Sequence, residues 1–233
     1  MFFGLDFSSP VFWSAFGSIL LANIVLSGDN AVVIAMAART LQPEQRSKAI
    51  FWGSAAAIVM RIVLTIVAIQ LLTLPYLKLI GAVLLVYIGV DLLRGEDEGD
   101  GEGKEINGMA AAIRTILIAD LVMSLDNVLA VAAAAKGNVP LLVMGLLVSI
   151  PLIIFGATLL TKVMERFPII ITVGAALLGF LAGEMLLTDP AVVDQIGAVS
   201  DTTLTIGGLL GAALVVALGT WMSRSHKPAD AAD

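Results

Sequence analysis

Two short runs place groups able to bind a cation where a membrane helix should be driest. Ser27-Gly28-Asp29-Asn30 lies inside an apolar segment from Val11 to Ala38. Ser124-Leu125-Asp126-Asn127 lies inside a second one from Ala111 to Ala135. A carboxylate at mid-membrane opposes insertion by roughly 2.5–3.5 kcal/mol. Meeting that cost twice, at matching positions, points to a use for both acids. Asn23, Ser27 and Asn30 follow i, i+4, i+7 spacing, which is one helix face, and Asp120, Ser124 and Asn127 repeat it. Asp29 and Asp126 sit about 100° around from their Asn neighbours on a regular helix. Unwinding at Gly28 brings carboxylate, carboxamide and freed backbone carbonyls together.

Such donors are all oxygen, which suits Mg2+, Ca2+ and Mn2+. A Mn2+ site must avoid the thiolates and imidazoles that copper and zinc prefer. The chain has no Cys, and its single His, His226, is in the C-terminal tail. The expected metal set is therefore Asp29, Asn30, Asp126 and Asn127, with Ser27, Ser124, Asn23 and Asp120 around it. The plainer alternative for the Ser and Asn residues is hydrogen bonding between helices. Arg61 lies inside an apolar run and is the natural counter-charge for an acid, either as a structural pair with Asp120 or Glu184 or as a gate. Asp91 and Glu184 are the remaining candidates for gating or a proton pathway.

The elements that must position these residues are membrane helices. Hydrophobic residues make up 59% of the chain and charged residues 14%, against about 25% charged in soluble domains. The net charge of −6 excludes a basic nucleic-acid footprint. Seven apolar runs are long enough to span: Val11–Ala38, Ala49–Leu72, Tyr76–Leu93, Ala111–Ala135, Leu141–Leu160, Ile169–Leu187 and Thr203–Trp221. The first is longer than a span needs, so it is tilted, broken at Gly28, or extends past the bilayer. It reads as a retained helix rather than a signal peptide. Residues 95–109 form an acidic Gly-rich linker that cannot bury apolar surface. Ten basic residues fall on the loops of one side and two on the other. That places the N-terminus outside and the C-terminus in the cytoplasm.

The chain repeats internally. At a shift of 97 residues, Asn23–Arg39 overlies Asp120–Lys136 with seven of 17 positions identical, and Pro43 falls on Pro140. At a shift of 93, Leu79–Leu93 overlies Thr172–Leu186 with five of 15 identical, and Asp91 falls on Glu184. Three spans per half is an odd number, so the halves enter from opposite sides. Such inverted repeats are a common transporter plan, with the site at their interface. The expected fold is all-α and polytopic: a first three-helix repeat (1–94), the linker (95–109), a second repeat (110–187), a loop and a seventh helix (188–222), and a cytoplasmic tail (223–233).

The paired S-G-D-N and S-L-D-N motifs, the acidic linker and the seven spans resemble the TerC family of bacterial integral membrane proteins, in its short YjbE-like branch. That family is named for tellurium resistance and grouped with the LysE-type exporters. The resemblance covers Val11 to about Trp221. It implies a multi-pass protein of the bacterial inner membrane that exports manganese or a similar divalent cation, with the family's acidic positions falling on Asp29 and Asp126 and with Asn30 and Asn127 beside them. No permanent cofactor is expected, since Mn2+ is the cargo, and no enzyme activity or nucleic-acid partner. Rival functions are a membrane partner that supplies manganese to secreted metalloproteins, an amino-acid exporter, and an intramembrane aspartyl protease. The last also needs two facing carboxylates, but its usual Gly-x-Gly-Asp context is missing. A homodimer and a contact with exoproteins or secretion machinery complete the partners considered.

Overall fold

The computed structural model describes residues 8–26, 28–72, 74–94, 102–135 and 139–225. Among them the regular elements are all helices. They are α1 (Pro10–Leu26), α2 (Gly28–Ala38), α3 (Pro43–Leu72), α4 (Leu77–Arg94), α5 (Glu102–Ala135), α6 (Val139–Arg166), α7 (Ile169–Leu187), α8 (Pro190–Ile196) and α9 (Asp201–Ser225). Among the described residues five segments are long and apolar enough to cross a bilayer: Pro43–Thr65, Gly108–Leu125, Pro140–Arg166, Ile169–Leu187 and Asp201–Ser223. The other two expected runs are helical but fall short. The first consists of two shorter stretches, α1 and α2, on either side of Ser27, which lies outside the described residues. The third, α4, carries Lys78, Asp91 and Arg94 within its 18 residues.

Several helices are longer than their apolar runs. The 28 residues of α6 rise about 42 Å, against roughly 30 Å of hydrocarbon. A helix of that length tilts or carries its ends beyond the hydrocarbon, and its last turns hold Lys162, Glu165 and Arg166. For the same reason α3 starts at Pro43 rather than Ala49, with Pro in the first turn where its missing N–H costs nothing. Helix α5 starts at Glu102 and takes up the second half of the segment expected to be linker. It also runs unbroken through Ser124-Leu125-Asp126-Asn127.

The chain divides into two compact units. Unit 1 comprises residues 1–73 and 109–161. Its interior includes Ile19, Ile50, Ile58, Ile116, Leu146 and Ala157, all essentially without solvent contact. Helix α3 meets α5 closely where Gly53 faces Ile116.

Unit 2 comprises residues 74–108 and 162–233. Helix α7 packs on both α4 and α9, and α4 packs on α9. Four glycines set the α7–α9 crossing. A Cβ on Gly183 would lie 2.1 Å from the Gly207 carbonyl oxygen, and one on Gly179 2.4 Å from that of Gly211. The backbones therefore touch in antiparallel order, a small-xxx-small seam from each side. Helix α9, expected to stand outside the repeat, thus meets α7 backbone to backbone.

Unit 2 also contains a feature absent from the expectations. Asp189 has no exposed surface. Its Oδ1 accepts from Ala191 N at 2.8 Å, capping α8, and from Tyr76 N at 3.0 Å. Its Oδ2 accepts from Leu79 N at 3.1 Å, in the first turn of α4. One carboxylate thus caps two helix N-termini. It also holds Tyr76 at φ 66°, a backbone conformation that costs a non-glycine residue about 1–2 kcal/mol. Burial pushes the Asp189 carboxyl up, but the N–H groups of Tyr76, Leu79 and Ala191 outweigh it and hold the group below its ordinary value of 3.8. Because the folded value is depressed, the ionised cap contributes fully above the unfolded carboxyl range. The contribution is lost as pH falls through the folded value. Asp189→Ala is expected to cost about 2–4 kcal/mol, with Asp189→Asn milder because Asn keeps one acceptor. Thermal unfolding in detergent at pH 7 and below pH 3 checks both statements: the wild-type advantage over Asp189→Ala shrinks at acid pH.

Candidate functional site

The first motif opens helix α2. Asp29 sits in its first turn and is half-buried, with Oδ1 accepting from the Asn30 backbone N–H at 2.8 Å. A carboxylate is favoured there by the free N–H groups of a helix start. Asn30 is 2% exposed, and neither Nδ2 nor Oδ1 of its carboxamide has a hydrogen-bond partner. A buried amide without partners costs about 1–3 kcal/mol. Buried amides are normally paired with protein, water or an ion.

The second motif is joined to α3 through a closed polar triangle. Arg61, 2% exposed, donates from Nη2 to Asp120 Oδ1 and from Nε to Ser124 Oγ at 3.0 Å. Ser124 Oγ donates in turn to Asp120 Oδ2 at 3.3 Å. Asp120 is 5% exposed and Ser124 fully buried. Their i, i+4 spacing puts both on one face of α5, so a single guanidinium from α3 reaches both. Thr65 Oγ1 donates to the Arg61 carbonyl at 2.7 Å and steadies the next turn.

Asp29, Arg61 and Asp120 all belong to unit 1. Arg61 forms an ion pair with Asp120, and Ser124 accepts a hydrogen bond from Arg61 across α3 and α5. Asn127 is half-buried. Ser27 lies outside the described residues, as do the side chains of Asn23 and Asp126, so the expected meeting of Asp29 with Asp126 falls outside them too. Asp91 and Glu184 belong to unit 2. Each is the fourth residue from the end of its helix, α4 and α7 respectively.

One polar group of this region was not anticipated. Ser54 is 1% exposed, and its hydroxyl has no partner. It lies seven residues before Arg61, hence on the same face of α3. The signal was the 54, 61, 65 spacing of polar residues in an apolar helix. Chemically, carboxylate, carboxamide and hydroxyl oxygens suit a hard cation. Among the described residues no group of three or more His, Cys, Asp or Glu gathers as a dedicated metal cluster.

Comparison with known proteins gives a consistent picture. The chain is 46% identical over 167 residues to the uncharacterized membrane protein YjbE of Bacillus subtilis, covering 72% of this chain and 76% of that one. It is 26% identical over 187 residues to the uncharacterized membrane protein YceF of the same organism, covering 76% and 72%. It is 25% identical over 181 residues to the UPF0053 inner membrane protein YoaE of Escherichia coli, covering 70% of this chain and 35% of that one. No solved structure matches the chain. Residues 8–227 match the family described as "Integral membrane protein TerC family", and with that span, those relatives and five membrane-length helices, this multi-pass membrane protein belongs to the TerC family.

Proposed function

We propose that this protein is a secondary transporter of the bacterial inner membrane that exports a hard divalent cation, with Mn2+ as the leading substrate, in exchange for protons. The observation that carries the reading is the Asn30 carboxamide, buried beside Asp29 with both polar atoms unpartnered. A carboxamide oxygen of this kind suits a hard cation. In this reading Asp29, Asn30, Asp126 and Asn127 replace part of the ion's water shell.

The wider architecture of the proposal is seven spans in a 3+3 inverted repeat, with the N-terminus outside. The division of the chain supports it. Unit 1 draws on the first two spans of each half, α1–α2–α3 and α5–α6, whereas unit 2 pairs their third spans, α4 with α7. A symmetric protein would sort its helices this way. Carrying two positive charges outward against about 100 mV costs about 4.6 kcal/mol. Two entering protons cancel that cost, and two acids can hold one divalent ion or two protons. No covalent chemistry on the substrate is involved.

The deciding experiment is equilibrium binding of Mn2+ to purified protein, with Mg2+, Ca2+, Zn2+ and lysine as competitors, followed by Mn2+ flux in proteoliposomes with a pH gradient. Saturable binding displaced by divalent ions, with flux that follows the proton gradient, is expected. Displacement by lysine alone, or no saturable metal binding, would sink the reading.

A further inference from the structure

We infer that the α3–α5 seam of unit 1 admits water as far as the Arg61–Asp120–Ser124 triangle, with Ser54 as the first polar group on the way in, and that its counterpart, the α1–α6 seam, stays dry. Use of that way by the cargo rests on the transport reading above; its hydration does not.

The two seams are built alike. On α3, Gly53 leaves room that Ile116 of α5 fills: an added Cβ would lie 2.8 Å from Ile116 Cδ1. On α6, Gly145 receives Ile19 of α1 in the same manner, with Ile19 Cγ2 at 2.4 Å. Both isoleucines are essentially without solvent contact. Gly145 lies 92 residues after Gly53, and Ile116 lies 97 after Ile19. Each contact is therefore the other with the halves exchanged.

Their polar content differs. Ser54, Arg61 and Thr65 lie within about 40° of one another around α3, and all three are buried. Arg61 reaches α5 from this face. The residues 92 further on are Leu146, Ile153 and Ala157, equally buried and all apolar. Hydroxyls elsewhere on α6 are used locally: Ser149 donates to the Leu146 carbonyl at 2.6 Å and Thr161 to that of Ala157 at 2.8 Å. A helical serine can always bond a carbonyl one turn back in this way. Ser54 does not, and its hydroxyl makes no hydrogen bond. Buried polar groups are normally paired with protein or water, and charged groups at membrane depth face the protein interior or a water-filled cavity.

The closures differ as well. Beside Ser54 the nearest atom to the added Cβ is Ile116 Cδ1, the end of a side chain that can turn. In the other seam it is Ile19 Cγ2, which is fixed by the single χ1 that a β-branched residue favours in a helix. The α3–α5 seam is thus the one able to open without moving backbone.

The chain has no Cys, so an introduced thiol is the sole one. The test follows modification of purified Ser54→Cys, Ala57→Cys and Ser149→Cys by 2-aminoethyl methanethiosulfonate, with unfolded protein as the reference for full reaction. Ala57 is one turn on from Ser54 towards Arg61, Ser149 is the residue 92 after it, and both are buried. The reagent attacks thiolate, and a thiol in apolar surroundings offers at least about tenfold less of it. Ser54→Cys and Ala57→Cys should therefore react at least about tenfold faster than Ser149→Cys, although Ala57 is natively apolar and Ser149 natively polar. Ser54→Ala removes one hydrogen bond to water and should slow Ala57→Cys about fivefold. A hydroxyl with a packing role alone would leave that rate unmoved.

Equal rates for the three thiols in variants with wild-type thermal midpoints overturn the inference, as does an Ala57→Cys rate indifferent to Ser54→Ala. Each exchange is small, and Ser54→Cys and Ala57→Cys probe the seam independently should one of them misfold. Fast α3 thiols in a protein that binds no Mn2+ uphold the wet seam and remove the transport reading. Mn2+ binding and flux with equally slow thiols remove this inference alone.

Discussion

Asp29→Asn is expected to abolish Mn2+ binding over any accessible concentration range, a loss of at least about 100-fold. The size follows from charge. A carboxylate against a divalent ion at about 4 Å contributes about 8 kcal/mol at an effective dielectric of 20, and about half of that already exceeds 100-fold in affinity. Folding should be unaffected. The hydrogen bond described for the Asp29 carboxylate comes from the Asn30 backbone N–H, and an Asn side chain offers the same acceptor. Titration of purified variant and wild type with Mn2+, read calorimetrically or by loss of the free-ion resonance signal, decides the matter. An unchanged affinity in well-folded Asp29→Asn protein would end the account of the site.

The second large effect is on architecture. Gly183→Leu should destabilise unit 2 by about 3 kcal/mol or more, at the upper end of what overpacking costs. The new Cβ would arrive 2.1 Å from the Gly207 carbonyl oxygen. That neighbour is backbone and has no rotamer to yield. Helix α9 should then lift from α7 and become open to proteolysis, with a lowered thermal midpoint. Gly17→Ala is the matched control, because nothing lies within 4 Å of its new methyl group. Replacing glycine in an open helical position gains roughly 0.5–1 kcal/mol. Equal midpoints for Gly183→Leu and wild type would show that the seam is not a close contact.

Much of this was readable from residue types. Runs of apolar residues broken by polar clusters gave the helices, because hydrocarbon tolerates no other open element. Arg61 was legible as an ion-pair partner, since an unpaired cation in the membrane is too costly to keep. Helix ends were less legible. The polar turns of α3 and α5 look like loop when hydropathy is the only guide. The α7–α9 seam hides in a glycine pattern that also marks turns and flexible segments. Asp189 was missed because it stands outside both expected repeats. Its signal was local, an Asp-Pro pair that starts a helix, and the reach to Tyr76 and Leu79 depends on tertiary packing. Asn30 was named as a donor, but its lack of partners is a property of packing that no sequence pattern carries.

The way the two units are threaded bears on biosynthesis. Each draws its helices from both halves of the gene product. When the ribosome has made α1 to α4, neither core has all its members. Unit 1 stays open until synthesis reaches Thr161, and unit 2 until α9 emerges. Although domains generally fold as they leave the ribosome, here the early helices must wait in the bilayer with Asp29 and Arg61 uncovered. The insertion machinery must therefore shelter those charges until the later half arrives.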